Sequence, residues 1–285
     1  MSRTGKTKIY ATLLQKGGSG KSTSTYNLGY ELAERGLKVL LVDFDPQANL
    51  TEIAGLSPES LDCTIADVLL SYAGVEKKKM EECILQLNDN LFIAPSIIDL
   101  SAADSILMSA MSREFILKRA LSSIKDDYDC ILIDCQPSLS LLPLNALACS
   151  DYVLVPCCAE YLHYRGLHLL ESTVEMVKEN LNDNLIIRGL VVTRYERTNH
   201  NKEILEQLRK DGYNILGIVP KAIAVSDAVY TASGAIVASA PQSAPAIAYK
   251  EIADALYYDI TNKVYFDPNR QVEESVEESI EEEVE

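Results

Sequence analysis

No stretch of this chain approaches the ~20 consecutive apolar residues needed to cross a bilayer, so no membrane span is expected. The opening residues, Met1-Ser-Arg-Thr-Gly-Lys-Thr-Lys8, are polar and basic, and no apolar signal-peptide core follows them, so a secretory signal is not expected. There is no C-x-x-C. Seven cysteines are scattered at 63, 83, 130, 135, 149, 157 and 158. Their odd count and apolar neighbours lead to an expectation of reduced, mostly buried thiols in a cytoplasm. The adjacent Cys157-Cys158 reads as a strand end and not as a metal site. Positive charge is scarce too, with 26 Lys and Arg against 42 Asp and Glu and a net charge of −16. The segment Gln271–Glu285 holds eight Glu and no base, and so supplies half of that charge. A global basic footprint is excluded, and any nucleic-acid contact must be a local patch. What is present, 285 residues of which 47% are hydrophobic and 24% charged, suits one α/β domain with a full core.

The chain is organised around Leu13-Leu14-Gln15-Lys16-Gly17-Gly18-Ser19-Gly20-Lys21-Ser22-Thr23. The apolar run Ile9 to Leu14 reads as a buried strand, and a helical pattern runs from Ser22 to Arg35. Strand, glycine-rich loop and helix together are the context of a phosphate-binding loop (P-loop). Glycines let backbone N–H groups turn inward around an anion, and the positive end of the helix points at the same place. Lys21 is then expected on the β- and γ-phosphates and the Ser22 hydroxyl on Mg²⁺. Gln15 replaces the usual first glycine of G-x-x-x-x-G-K-[ST], and a second lysine, Lys16, follows it.

Gly36 closes the first helix, and Lys38-Val-Leu-Leu-Val-Asp43 reads as the second strand. It leads into Asp43-Phe-Asp45-Pro-Gln, where Pro46 stops the strand and leaves Asp45 at its carboxyl end, the edge at which ligands bind in parallel sheets. Residues 52–90 read as helical, polar and solvated. Leu91–Pro95 reads as a short strand and Ser101 to Lys125 as helical. Tyr128-Asp-Cys-Ile-Leu-Ile-Asp134 is a buried strand ending in a carboxylate suited to organising Mg²⁺. Further strands at 151–156, 184–193 and 215–220 alternate with helices at about 163–181, 200–211 and 245–262. The expected fold is therefore α/β, a doubly wound, mostly parallel sheet flanked by helices. The expected division is a flexible N-terminus at 1–7, one P-loop domain at 8–265 and an acidic tail at 266–285.

Four segments carry a family resemblance. They are the loop Lys16-Gly-Gly-Ser-Gly-Lys-Ser-Thr23, the Asp43-x-Asp-Pro-Gln47 segment, Ile133-Asp-Cys-x-Pro-Ser-Leu139, and Ala159-Glu-Tyr161 with Gly166-Leu-His-Leu-Leu170. Together they resemble the ParA/MinD family of deviant Walker A ATPases, and in particular its short, single-domain ParA partition proteins. Three positions depart from the family pattern. Ser19 stands where the family usually has Val, Ser22 where it has Thr, and Gln136 where it has Pro.

The resemblance implies ATP and Mg²⁺, with hydrolysis slow and stimulated by a partner. Gly17, Gly18, Ser19, Gly20 and Thr23 would cradle the phosphates, Lys21 would hold the β- and γ-phosphates, and Ser22 and Asp134 would serve the metal. Asp45 would place the attacking water, and Lys16 would reach the partner's nucleotide across an ATP-dependent homodimer. Adenine is expected near Thr193 and Pro220. A ParB-like, DNA-bound adaptor and nonspecific DNA are the implied partners, with a cytoplasmic, nucleoid-associated location. Six bases and four acids lie between 194 and 221. Arg194, Arg197 and Lys221 are the candidate DNA contacts. Ala224 occupies a second position that the family makes basic, so weak DNA binding is expected. Two alternatives stand beside this reading: a ParA-like positioner of a protein cargo, and a MinD-like membrane-associated ATPase. The second needs a basic amphipathic C-terminal helix, and the glutamate-rich end of this chain is repelled by anionic lipid. Val272, Val276, Ile280 and Val284 recur every four residues in that tail, which reads either as solvating or as folding onto something basic.

Overall fold

The computed structural model describes residues 6–262, apart from 76, 139, 230, 232 and 233 and the side chain of Leu162. The tail at 266–285, with its stripe of Val and Ile, lies outside the described residues. Among the described residues the strands are β1 (Lys8–Thr12), β2 (Val39–Phe44), β3 (Leu85–Gln86), β4 (Leu91–Ala94), β5 (Cys130–Cys135), β6 (Tyr152–Cys158), β7 (Ile186–Tyr195) and β8 (Ile215–Pro220). They form one sheet in the order β3-β4-β2-β5-β1-β6-β7-β8. Every pairing is parallel except that of β3 with β4.

The central strands are buried on both faces, which is why they read as unbroken apolar runs. Successive residues nonetheless point to opposite sides. Leu40, Val42 and Phe44 of β2, with Ile131 and Ile133 of β5, enter one core. Val39 and Leu41, with Cys130 and Leu132, enter the other. The second core is covered by the helices Lys21–Glu34 and Ala244–Thr261 through Leu28, Leu32, Ile252 and Leu256. Leu142, Ala146 and Leu147 of the helix Leu141–Cys149, and Leu167, Leu170 and Val174 of the helix Tyr161–Asn180, line the first. Gly29 lets the phosphate-loop helix lie close on the sheet, because a Cβ there would come within 2.5 Å of Leu41 Cδ2.

The chain runs outward from β1 through β2 and β4, returns as β5 beside β1, and then continues as β6 on the other side. The winding direction reverses at β1. That reversal leaves a crevice at the carboxyl ends of the central strands, where doubly wound sheets bind ligands.

Several sequence expectations are corrected. Residues 52–90 are mostly turns. They contain the helix Ile65–Tyr72, two 3-10 turns and the antiparallel β3. Ile65, Val68, Leu69, Met80 and Cys83 are buried there, so the segment covers the core and is not simply solvated. The expected helix from 101 to 125 is broken into Leu100–Leu107, Ile116–Leu121 and 3-10 turns. Cys63 and Cys83 are joined as a disulfide, against the expectation that all cysteines are thiols; the other five are free. Thr7 is not a loose terminus. It is buried, and its hydroxyl lies 2.8 Å from the carbonyls of both Lys125 and Tyr128.

Candidate active site

The phosphate loop leaves β1 and enters the helix Lys21–Glu34. Gly18 and Gly20 adopt left-handed backbone, with φ of +72° and +78°, a conformation that glycine takes without strain. Gly20 is the helix N-cap and has no side chain to close the first turn. The N–H groups of that turn therefore remain directed at the crevice, where an anion satisfies them. Thr193, at the end of β7, donates its hydroxyl to the Ser19 carbonyl at 2.8 Å, and its methyl lies 3.4 Å from where a Cβ on Gly20 would sit. The next residue, Arg194, is also left-handed, with φ of +51°, and its guanidinium lies 3.4 Å from the Gly18 carbonyl. Thr193 is thus a brace for the phosphate loop, with its side chain against Ser19 and Gly20.

Lys21 is buried, and its ammonium lies 3.5 Å from the carbonyl of half-buried Lys16. His163 shows how charge gathers there. Burial first, and then the nearby Lys16, Arg194 and Lys21, push its pKa down. Its Nδ1 accepts from the Cys158 N–H, which suits a neutral ring. Three cations therefore converge on one loop of a strongly acidic chain, the electrostatics of a polyphosphate site.

Three carboxylates cluster at the carboxyl ends of β2 and β5: Asp43, Asp45 and Asp134, of which Asp134 lies near Lys21 and Ser22. Asp43 and Asp134 are register partners on adjacent strands, and Thr12 pairs with Asp134 on the other side. Asp43 is satisfied by the Thr51 N–H at 2.8 Å, the Thr51 hydroxyl at 2.7 Å and the Asp45 N–H at 3.3 Å. Even so, burial raises its pKa to about 7. Asp134 is different: neither buried carboxyl oxygen has a hydrogen bond of ordinary geometry, although the Ser22 hydroxyl stands beside it. Burial, and secondarily Asp43, raise its pKa well above the usual range, while the Ser22 hydroxyl and Lys21 pull it back. An orphaned buried carboxylate beside a hydroxyl is a hard-oxygen donor set that fits Mg²⁺. Among the described residues no three His, Cys, Asp or Glu side chains form a metal cage.

Asp45 is buried, and its Oδ1 accepts from the Gln47 N–H at 2.9 Å. Its carbonyl accepts from the Ser96 hydroxyl, while the Ser96 N–H donates to the Thr51 hydroxyl, both at 2.9 Å. Thr51 and Ser96 thus hold the Asp43–Asp45 turn. The sequence reading missed both, since they lie 8 and 53 residues beyond Asp43 with no motif spacing. Gln136, the departure after β5, donates its amide to Ser140 at 2.6 Å and ties down the turn before the helix Leu141–Cys149. Pro220 ends β8 opposite Tyr195. Of the candidate DNA contacts, Arg197 is exposed at the loop after β7, Lys221 is paired with Glu196 at 2.6 Å, and Arg194 turns to the phosphate loop.

Comparison with known proteins agrees with this geometry. A family profile described as an AAA domain matches residues 7–187. The chromosome-partitioning ATPase Soj of Treponema pallidum is 40% identical over 227 residues, covering 79% of this chain and 86% of the relative. A crystal structure of cobyrinic acid a,c-diamide synthase from Mycobacterium smegmatis, with bound ATP analogue and magnesium, is 33% identical. It has a TM-score of 0.75 and covers 88% of this chain and 95% of that one. The septum site-determining protein MinD of Pyrococcus horikoshii, complexed with Mg-ADP, is 25% identical with a TM-score of 0.72, covering 91% and 100%. The glycine loop closed by Lys21, the second lysine at 16 and the paired strand-end carboxylates have the same explanation as these likenesses: the chain belongs to the ParA/MinD family of P-loop ATPases.

Proposed function

We propose that this chain is a ParA-like ATP hydrolase that dimerises on ATP and segregates or positions DNA, whether plasmid, mobile element or chromosome. A ParB-like adaptor bound to that DNA stimulates its slow hydrolysis. The observation that carries the reading is the convergence of Lys16, Lys21 and Arg194 on a loop near the buried carboxylates Asp45 and Asp134. ATP with Mg²⁺ matches that charge pattern.

The chemistry is attack of water on the γ-phosphate, in which the protein positions groups and neutralises charge. Backbone N–H groups from Gly17 to Thr23 cradle the phosphates, and Lys21 neutralises the β- and γ-phosphates. Ser22 and Asp134 would hold the metal, which when bound would supply positive charge against the phosphate oxygens. Asp45, fixed by the Gln47 N–H, orients the attacking water. Lys16 reaches the partner's nucleotide, so two protomers enclose ATP between them. With Thr193 turned to the loop, the base is assigned to the Pro220 side of the crevice.

Arg197 supplies the exposed positive charge for DNA phosphate. One observation favours the second reading, a positioner of a protein cargo: Lys221 is neutralised by Glu196, and Arg194 is turned inward. Retention of nonspecific duplex DNA with ATP, with ADP and without nucleotide separates the two. Retention with ATP alone supports the DNA reading, and equal low retention in all three supports the protein cargo.

A further inference from the structure

A cavity of about 550 Å³ opens at the amino ends of β1, β6 and β7, the sheet edge opposite the phosphate loop. Lys6, Lys8, Lys118 and Lys125 line it, with Tyr152 and Ile186. None of the four lysines forms an ion pair with another described residue. Two acids also line it. Asp126 is exposed, while Asp151 spends one oxygen on the Ile9 N–H at 2.9 Å. Lys8 lies 5.7 Å from the centroid of the Tyr152 ring. Ile186, at the rim, is 56% exposed. In a chain of net charge −16, this is a concave surface with a local excess of uncompensated lysine.

The last described helix is tied to β7, the strand whose Ile186 lines this cavity. The helix Ala244–Thr261 places Asp259 against Arg188 at 2.5 Å, and Arg188 lies two residues along β7 from Ile186. Asp259 and Arg188 also act electrostatically on Tyr10, whose ring stacks on Tyr152 at 5.1 Å. Glu273, the first of the eight tail glutamates, follows Asn262 by eleven residues. Eleven residues reach at most about 36–40 Å, which bounds how far from the helix end the first glutamate can act.

We infer that the glutamate-rich segment Gln271–Glu285 docks in this lysine-lined cavity of its own chain. The glutamates meet Lys6, Lys8, Lys118 and Lys125, and the apolar Val272, Val276, Ile280 and Val284 have Ile186 and the Tyr152 ring to cover. The rival basic surface, residues 194–221, is a poorer partner. There Lys221 is spent on Glu196, Arg194 turns to Gly18, and Glu203 and Glu206 share the helix with Lys202, Arg209 and Lys210. Docking at the amino-end cavity leaves the phosphate loop and Arg197 open, so the tail is held away from the nucleotide site and from DNA.

Zero-length carbodiimide coupling of the full-length protein, with peptide mapping by mass spectrometry, tests this contact. Tail glutamates should couple mainly to Lys6, Lys8, Lys118 and Lys125, within single protomers. The yield should fall at least about fivefold from 50 to 500 mM NaCl, as screening shortens the reach of charge. In the full-length Lys118→Gln/Lys125→Gln variant, melting as the wild type does, coupling to Lys6 and Lys8 should drop severalfold. Coupling concentrated on Lys202, Lys210 or Lys221, spread evenly over all lysines, found only between protomers, or absent would overturn the inference.

Discussion

Asp43 and Asp134 stand side by side on β2 and β5; Thr51 and the Asp45 N–H donate to Asp43, while Asp134 has only the Ser22 hydroxyl beside it. Both hold protons more tightly in the folded protein than an ordinary carboxyl, Asp43 up to about 7 and Asp134 well above the usual range, chiefly through burial. Between pH ~4 and ~7 the folded state therefore binds more protons than the unfolded one, and stability falls as pH rises through that window. Metal-free protein should lose on the order of a few kcal/mol between pH 5 and pH 8 in urea unfolding. Asp134→Asn should flatten the loss, and Mg²⁺ with nucleotide should restore stability most at pH 8. A metal-free stability that is level or rises over this range would contradict the assignment.

Thr193→Val removes the hydroxyl that braces Ser19 while keeping the shape. The Ser19 carbonyl then lacks its partner, at a cost of about 1–3 kcal/mol. Because the loop must be ordered to bind phosphate, ATP affinity should fall by about tenfold, measured by calorimetry. An unchanged affinity would mean that the brace does not shape the loop.

Gly29→Ala should destabilise the fold by about 1–3 kcal/mol, since the new methyl meets fully buried Leu41 with no room to move. Urea unfolding reads this directly. In a Leu41→Ala background the added cost of Gly29→Ala should shrink towards zero if the clash is the cause.

Arg197→Glu should lower ATP-dependent retention of nonspecific DNA and reduce its salt slope, with basal hydrolysis unchanged. Arg194→Ala should instead act on nucleotide affinity, because its guanidinium lies on the Gly18 carbonyl. The same effect from both substitutions would argue that the two arginines serve one surface.

The phosphate loop, the Asp43–Asp45 turn and the central strands were readable from sequence because each has a local signature. A strand buried on both faces is a continuous apolar run, and a loop that wraps an anion needs clustered glycines. Residues 52–90 had no such signature, because isolated residues such as Met80 and Cys83 reach the core from short turns with no fixed period. The Cys63–Cys83 bond and the Thr193–Ser19 contact, the latter 174 residues apart in sequence, depend on how distant elements pack. Gln136 shows a compensation of the same kind, since its amide takes over the tethering of a turn where a proline was expected.

The central claim is that ATP joins two protomers and that Asp45 ends that state. Light scattering of Asp45→Ala with Mg-ATP tests it most directly, beside Lys21→Ala, Lys16→Ala and wild type with ADP. Asp45→Ala should bind ATP, persist at twice the monomer mass and hydrolyse at least about 100-fold more slowly than wild type. Lys21→Ala should bind no nucleotide, and Lys16→Ala should bind nucleotide and remain monomeric. An Asp45→Ala protein that stays monomeric with ATP, or that hydrolyses it at the wild-type rate, would contradict the account.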